Sequence, residues 1–185
     1  MLLCAKLGYM TEDLKYPLGL PTKPEGPLSV SDRSALIDSI ADFPRALRTA
    51  VKGLTNEQLD TPYRPDGWTV RQVVHHLADS HLNSYIRTRL ALTEDTPTIR
   101  PYDEVEWAKL PDAAGADPEL SLTLLDALHT RWTVLFRALP PEAFSKEFVH
   151  PASGKQNLDV LLCIYEWHGR HHLAHITRLA SRLGW

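Results

Sequence analysis

The sequence predicts an all-α fold, a four-helix bundle with long crossover loops and an irregular N-terminal arm. Three observations carry this. Four segments repeat apolar residues at steps of three and four, the spacing of one helix face. Two of them open on clear N-terminal capping signals. Little in the chain alternates with the two-residue period of a strand. At 185 residues the chain fits one domain that can bury a core without disulfides. Its expected division is an arm over residues 1–30 and a bundle over 31–185.

The arm comes first because residues 11–28 hold Pro17, Pro21, Pro24 and Pro27 with Gly19 and Gly26. A stretch this rich in helix breakers cannot form a long helix. The first long helix is expected near Ser31, with Leu36, Ile40, Phe43, Leu47, Ala50 and Leu54 on one stripe. Pro44 removes a backbone donor inside it and is expected to kink it, and Gly53 marks its end. The second helix starts at a capping box, Thr69-Val70-Arg71-Gln72, with Trp68 and Val73 placed to staple it, and runs to about Leu92. The loop Thr93–Asp117 is too long for a plain connector, and its PYDEVEW stretch suits a short helix. Asp117 as cap and Pro118 at the first helical position open the third helix. Its stripe is Leu122, Leu125, Leu128, Trp132, Leu135 and Leu139, and Pro140-Pro141 stop it. The fourth helix is expected from Asn157 to about Leu183, with Leu158, Leu161, Tyr165, His168, His172, Ile176 and Leu179 on its apolar face.

Composition excludes several classes of function. The net charge of -3, a pI near 6.3 and the absence of a basic cluster argue against nucleic-acid binding. No apolar run reaches membrane-spanning length, and the first ten residues lack a signal-peptide pattern. The two cysteines, Cys4 and Cys163, form no CxxC or disulfide framework, which suits a reducing compartment. The reading is a cytoplasmic protein whose start is either Met1 or Met10. No GxGxxG, P-loop or GxSxG motif is present.

The unusual feature is nine histidines, seven of them in two clusters. Histidines four apart on a helix project from one face on successive turns and can share one metal ion. The last helix offers two such pairs. His168 and His172 replace apolar residues on the core stripe, whereas His171 and His175 align with Trp167, Arg178 and Arg182 and are expected toward an edge. A third ligand must come from the second helix. His75 follows Arg71 and Gln72 on an expected wetter face, which leaves His76. His81, His129 and His150 read as solvated. Three neutral imidazoles leave a coordination position open, the arrangement of catalytic rather than structural zinc. The expected cofactor is one divalent ion per subunit, zinc by ligand type, although a purified sample can carry nickel. At the open position such an ion acidifies a water or holds a thiolate. Asp79, Glu166 and Gln72 are candidates to orient ligands or accept a proton.

The stretches TEDLKYPLG, LDTPYRPDGWTVRQVVHHLADSH, TPTIRPYDEVEW and YEWHGRHHLAHITRL resemble the YfiT-type metal-dependent hydrolases of the DinB superfamily over nearly the whole chain after Met10. The resemblance implies a DinB-like bundle, a cytoplasmic homodimer and a metal held by His76, His168 and His172. The family's HxHHH-like run is HGRHH here, and Gly169 and Arg170 are expected to alter the rim of the site. Hydrolysis of a small molecule is the implied reaction. The alternative is transfer of a low-molecular-weight thiol, such as bacillithiol, mycothiol or glutathione, to an electrophile. A third reading is a metal that only stabilises the bundle or senses. The arm and the Thr93–Asp117 loop are expected to frame the mouth, with Tyr16, Tyr102, Asp103 and Trp107 lining it.

Overall fold

The computed structural model describes residues 14–185. Four long helices form the bundle: α1 (Val30–Val51), α3 (Val70–Thr93), α6 (Pro118–Ala138) and α7 (Leu158–Leu183). Short helices α2 (Asn56–Leu59), α4 (Glu104–Trp107) and α5 (Pro111–Gly115) fill the connections. α1 packs on α6 and α7, and α3 packs on the same two. The consecutive long helices α1 and α3 therefore face each other across the bundle diagonal, which a simple up-down-up-down order would not give.

Local chemistry explains the helix starts. Ser29 caps α1, which starts one residue before the expected Ser31. Thr69 and Gln72 form the full capping box of α3, Asp117 caps α6 ahead of Pro118, and Asn157 caps α7. Pro44 lies inside α1, which runs through it as one helix. Two apolar clusters fill the interior. One surrounds Leu47, Val73, Leu77, Leu125 and Ile176, and the other surrounds Trp132, Phe136, Phe148, Leu158 and Leu162.

One element was not expected. After a 3-10 turn, Pro141–Ser145, strands β1 (Glu147–His150) and β2 (Gly154–Asn157) form an antiparallel hairpin. The long loop attaches to it: the Ile99 amide donates to the Val149 carbonyl at 2.9 Å, and the Val149 amide to the Pro97 carbonyl at 2.8 Å. The hairpin thus fixes the segment that carries Pro101, Tyr102 and Glu104.

The arm lies along α7. His175 Nε2 donates to the Lys15 carbonyl at 3.1 Å, and Arg178 Nη2 to the Pro17 carbonyl at 2.6 Å. Cys4 and the first part of the TEDLKYPLG stretch lie outside the described residues. Among the described residues no helix is long and apolar enough to cross a membrane.

Candidate metal centre

α3 and α7 meet along a seam, and the seam holds the first histidine cluster. The ring nitrogens of His76, His168 and His172 lie within 4.8 Å of one another. His76 Nε2 and His168 Nε2 are 3.3 Å apart. Two nitrogens bound at about 2.0–2.1 Å to one tetrahedral ion sit about 3.4 Å apart, so this pair fits a zinc-type ion. The donor set fits too, because burial holds the rings in their neutral, ligating form. His76 is pushed down to about 4, and His168 and His172 lie well below the ordinary imidazole range.

Local packing sets this geometry. Gly67 closes the turn before Thr69, and a Cβ there would stand 2.7 Å from Arg64 Cγ and 3.1 Å from its carbonyl oxygen. The turn delivers Trp68 onto His76, with ring centroids 4.5 Å apart. On α7, Gly169 is buried and faces α1, where a Cβ would meet the Phe43 ring at 3.0 Å. This corrects the expectation for the HGRHH run: Gly169 sits at a close helix–helix approach, not at the rim. Arg170 is exposed and paired with Glu166.

The three rings open onto a cavity of about 560 Å³. Trp68, Trp167 and Tyr165 supply aromatic wall; Ser80, Arg87, Tyr102 and His171 supply polar groups. A second triad, His171, His172 and His175, is equally compact. His175 does not line the cavity, however, and its Nε2 is engaged by the arm. The first triad is the one that faces open space.

Several expectations need correction. His75 is buried, not on a wet face: its Nδ1 pairs with Ser121 Oγ at 2.7 Å and its Nε2 with the Ala116 carbonyl at 3.2 Å. With both nitrogens engaged, His75 has none left for an ion. His171 and His175 are buried beneath the arm and the Tyr63 ring, which stacks on His175 at 3.9 Å. Burial pushes His171 down to about 4 and His175 to about 3. His81 and His129 are each only 1% exposed, so they are core residues and not surface ones. His81 Nε2 meets His168 Nδ1 at 3.1 Å, and His81 Nδ1 meets His129 Nε2 at 2.8 Å. His150 is half-buried and lines the cavity from the hairpin.

The remaining candidates divide. Tyr102 lines the cavity, and burial raises its phenol above the ordinary range. Trp107 packs on Tyr102 at 4.4 Å, and Tyr16 lies 6.2 Å from the His171 ring; neither lines the cavity. Asp103 is exposed and caps α4. Gln72 completes the capping box and donates to the Ala108 carbonyl at 2.8 Å. Glu166 accepts from Ser39 and Arg170 on another face of α7. Asp79 is half-buried and raised to about 6 by burial and Asp112, away from the cavity wall.

Sequence reasoning missed Ser80, Arg87 and the Tyr165 hydroxyl as wall groups. Ser80 and Arg87 follow His76 by four and eleven residues, which is one face of α3. Arg87 Nη1 reaches the Tyr165 hydroxyl at 3.5 Å, its Nε is buried without a partner, and no carboxylate pairs with it among the described residues.

A family model described as the DinB superfamily matches residues 40–176. The chain is 51% identical over 174 residues to "Putative metal-dependent hydrolase YfiT" of Bacillus subtilis (strain 168), covering 94% of this chain and 97% of that one. "Putative metal-dependent hydrolase BCB4264_A2719" of Bacillus cereus (strain B4264) is 51% identical over 173 residues, covering 94% of this chain and 99% of that one. The solved structure of Bacillus subtilis YfiT, described as a probable metal-dependent hydrolase with an unusual four-helix bundle topology, superposes with a TM-score of 0.91 over 94% of this chain and 99% of that one.

Proposed function

We propose, from the premise that this chain belongs to the DinB superfamily, that it hydrolyses a small molecule at a metal centre formed by His76, His168 and His172. The observation that carries this reading is the convergence of three neutral imidazoles on the wall of one aromatic-lined cavity. A divalent ion, zinc by donor type, supplies a Lewis acid when bound, lowering the pKa of a water in its open position to about 7.

The chain's own residues do the rest. Trp68 and Trp167 line the cavity and would exclude bulk water from the side of the substrate that they cover. His171 lines the cavity, is neutral at pH 7, and has a buried Nδ1 with no partner among the described residues. In this reading its unpaired nitrogen accepts the proton of the attacking nucleophile. Ser80 and Tyr102 offer hydroxyls to the substrate. Arg87, uncompensated at the cavity wall, would receive an anionic part of it.

That arginine also favours a second reading, thiol transfer, because a low-molecular-weight thiol such as glutathione carries carboxylates. One experiment separates the readings. Metal content is measured on cautiously purified protein, and the metal is then removed and restored. Ester, amide and lactone substrates are screened with and without glutathione, bacillithiol and mycothiol. Metal-dependent turnover without thiol supports hydrolysis, and turnover only with thiol supports transfer. Unfolding on chelation with no turnover in either arm leaves a metal that only stabilises the bundle.

A further inference from the structure

Pro44 has no N–H, so the Ile40 carbonyl one turn earlier lacks its helical donor. His129 Nδ1 lies 2.7 Å from that carbonyl oxygen. A carbonyl only accepts, so the proton is on His129 Nδ1. A neutral ring then has a lone pair on Nε2, which must accept from His81 Nδ1 at 2.8 Å. The same step repeats: His81 Nε2 accepts from His168 Nδ1 at 3.1 Å. His168 is left with a bare Nε2, the atom that faces His76. The chain of bonds passes through α7, α3, α6 and α1 in turn. A shorter chain ends on the arm. The Lys15 carbonyl fixes the proton of His175 on Nε2, so His175 Nδ1 accepts from His172 Nδ1 at 3.3 Å and His172 Nε2 is bare.

We propose that His81 and His129 are positioning residues that lock His168 in its Nδ1–H tautomer, and that His175 does the same for His172, so that both present Nε2 lone pairs to one ion. The proposal rests on the metal reading above for its purpose, but its protons are assigned by hydrogen bonds that require no metal. It reverses the ordinary preference of a free histidine ring, which carries its proton on Nε2. It also explains why two histidines occupy fully enclosed positions where leucine would pack. A ligand ring free to switch tautomers would lose part of its affinity, and partners of this kind typically contribute about 10–100-fold to metal binding.

The test is long-range 1H–15N correlation on histidine-labelled, metal-free full-length protein, paired with zinc affinity by competition. Expected are Nδ1–H tautomers at His168, His172, His81 and His129, and Nε2–H at His175 and His75. His129→Leu should release His168 into a tautomer mixture and weaken zinc by about 10–100-fold. His129→Gln should restore both, because its amide oxygen can accept from His81 while its nitrogen donates to Ile40. An Nε2–H tautomer at His168 in the unsubstituted protein overturns the proposal, as does His129→Leu with tautomer and affinity unchanged. If His129→Leu does not fold, the tautomer in the unsubstituted protein still decides. Failure of the metal reading looks different: the tautomers are as assigned, but zinc binds weakly or supports no turnover.

Discussion

The two candidate ligands on α7 are held by separate supports, and the supports differ in kind. His168 is backed by two enclosed rings and ends on a carbonyl inside α1. His172 is backed by one ring and ends on Lys15, in the arm that lies along the outside of α7. The first support opens only when the bundle opens. The second can open whenever the arm lifts, and local opening of this kind costs much less than global unfolding. A rigid candidate ligand and an adjustable one therefore share one site.

The comparison fails at once if neither residue binds the ion. His168→Ala and His172→Ala should each abolish tight metal binding and metal-dependent turnover while the bundle persists, because two apolar clusters that include neither histidine fill its interior. Metal analysis and circular dichroism read this. Unfolding of both variants would instead mark the metal as a structural element. His171→Ala should keep the metal, since the cavity-facing triad does not include it, yet slow turnover by about 100-fold or more. Equal metal loss in His171→Ala and His172→Ala would show that the ion uses the second triad.

The difference between the supports is sharpened by a pair of outer variants. His175→Ala should weaken zinc by about 10-fold, the lower end of the range for such partners, because water entering beneath the arm can replace its ring. His129→Leu should lie toward the upper end. The reverse order would make the arm the firmer anchor.

Much of the bundle was legible because helix starts are local chemistry. Thr69 with Gln72, and Asp117 with Pro118, each signal a start without help from the rest of the chain. The hairpin was not legible: its strands are four residues each, mixed in polarity, and stabilised by pairing with a distant loop. The candidate triad could be read because His168 and His172 interrupt an apolar stripe. His81 and His129 carried the same signal unread. His81 lies four residues after Leu77 and four before Tyr85, and His129 four after Leu125 and three before Trp132, all of them buried. What periodicity could not show is that rings on separate helices meet end to end. The uncompensated Arg87 was also invisible, since pairing is a property of the fold.

Acid should act on the core support before it reaches the carboxylates. Burial lowers His129 to about 4 in the folded chain, from an unfolded value near 6.5. Between these values the unfolded chain binds a proton that the folded one refuses, so stability falls as pH drops from about 6.5 toward 4. His75, also lowered by burial, acts in the same direction. Urea unfolding of metal-free protein at descending pH should show this loss, and His129→Gln should reduce it. A flat profile above pH 5 would mean that these rings are not held neutral by burial.

The smallest effect should come from Pro44→Ala. Alanine restores a helical N–H to the Ile40 carbonyl, and it removes a helix-interior proline, which disfavours a helix by about 3 kcal/mol relative to alanine. The carbonyl has two lone pairs, so His129 can keep its bond while sharing the acceptor. Zinc affinity should therefore fall by less than the roughly 10-fold expected when an outer partner is removed outright, even if the melting temperature rises. A variant both more stable and weaker in zinc would place Pro44 in the service of the metal centre. Unchanged affinity would leave it as a tolerated proline whose bare carbonyl His129 happened to fill.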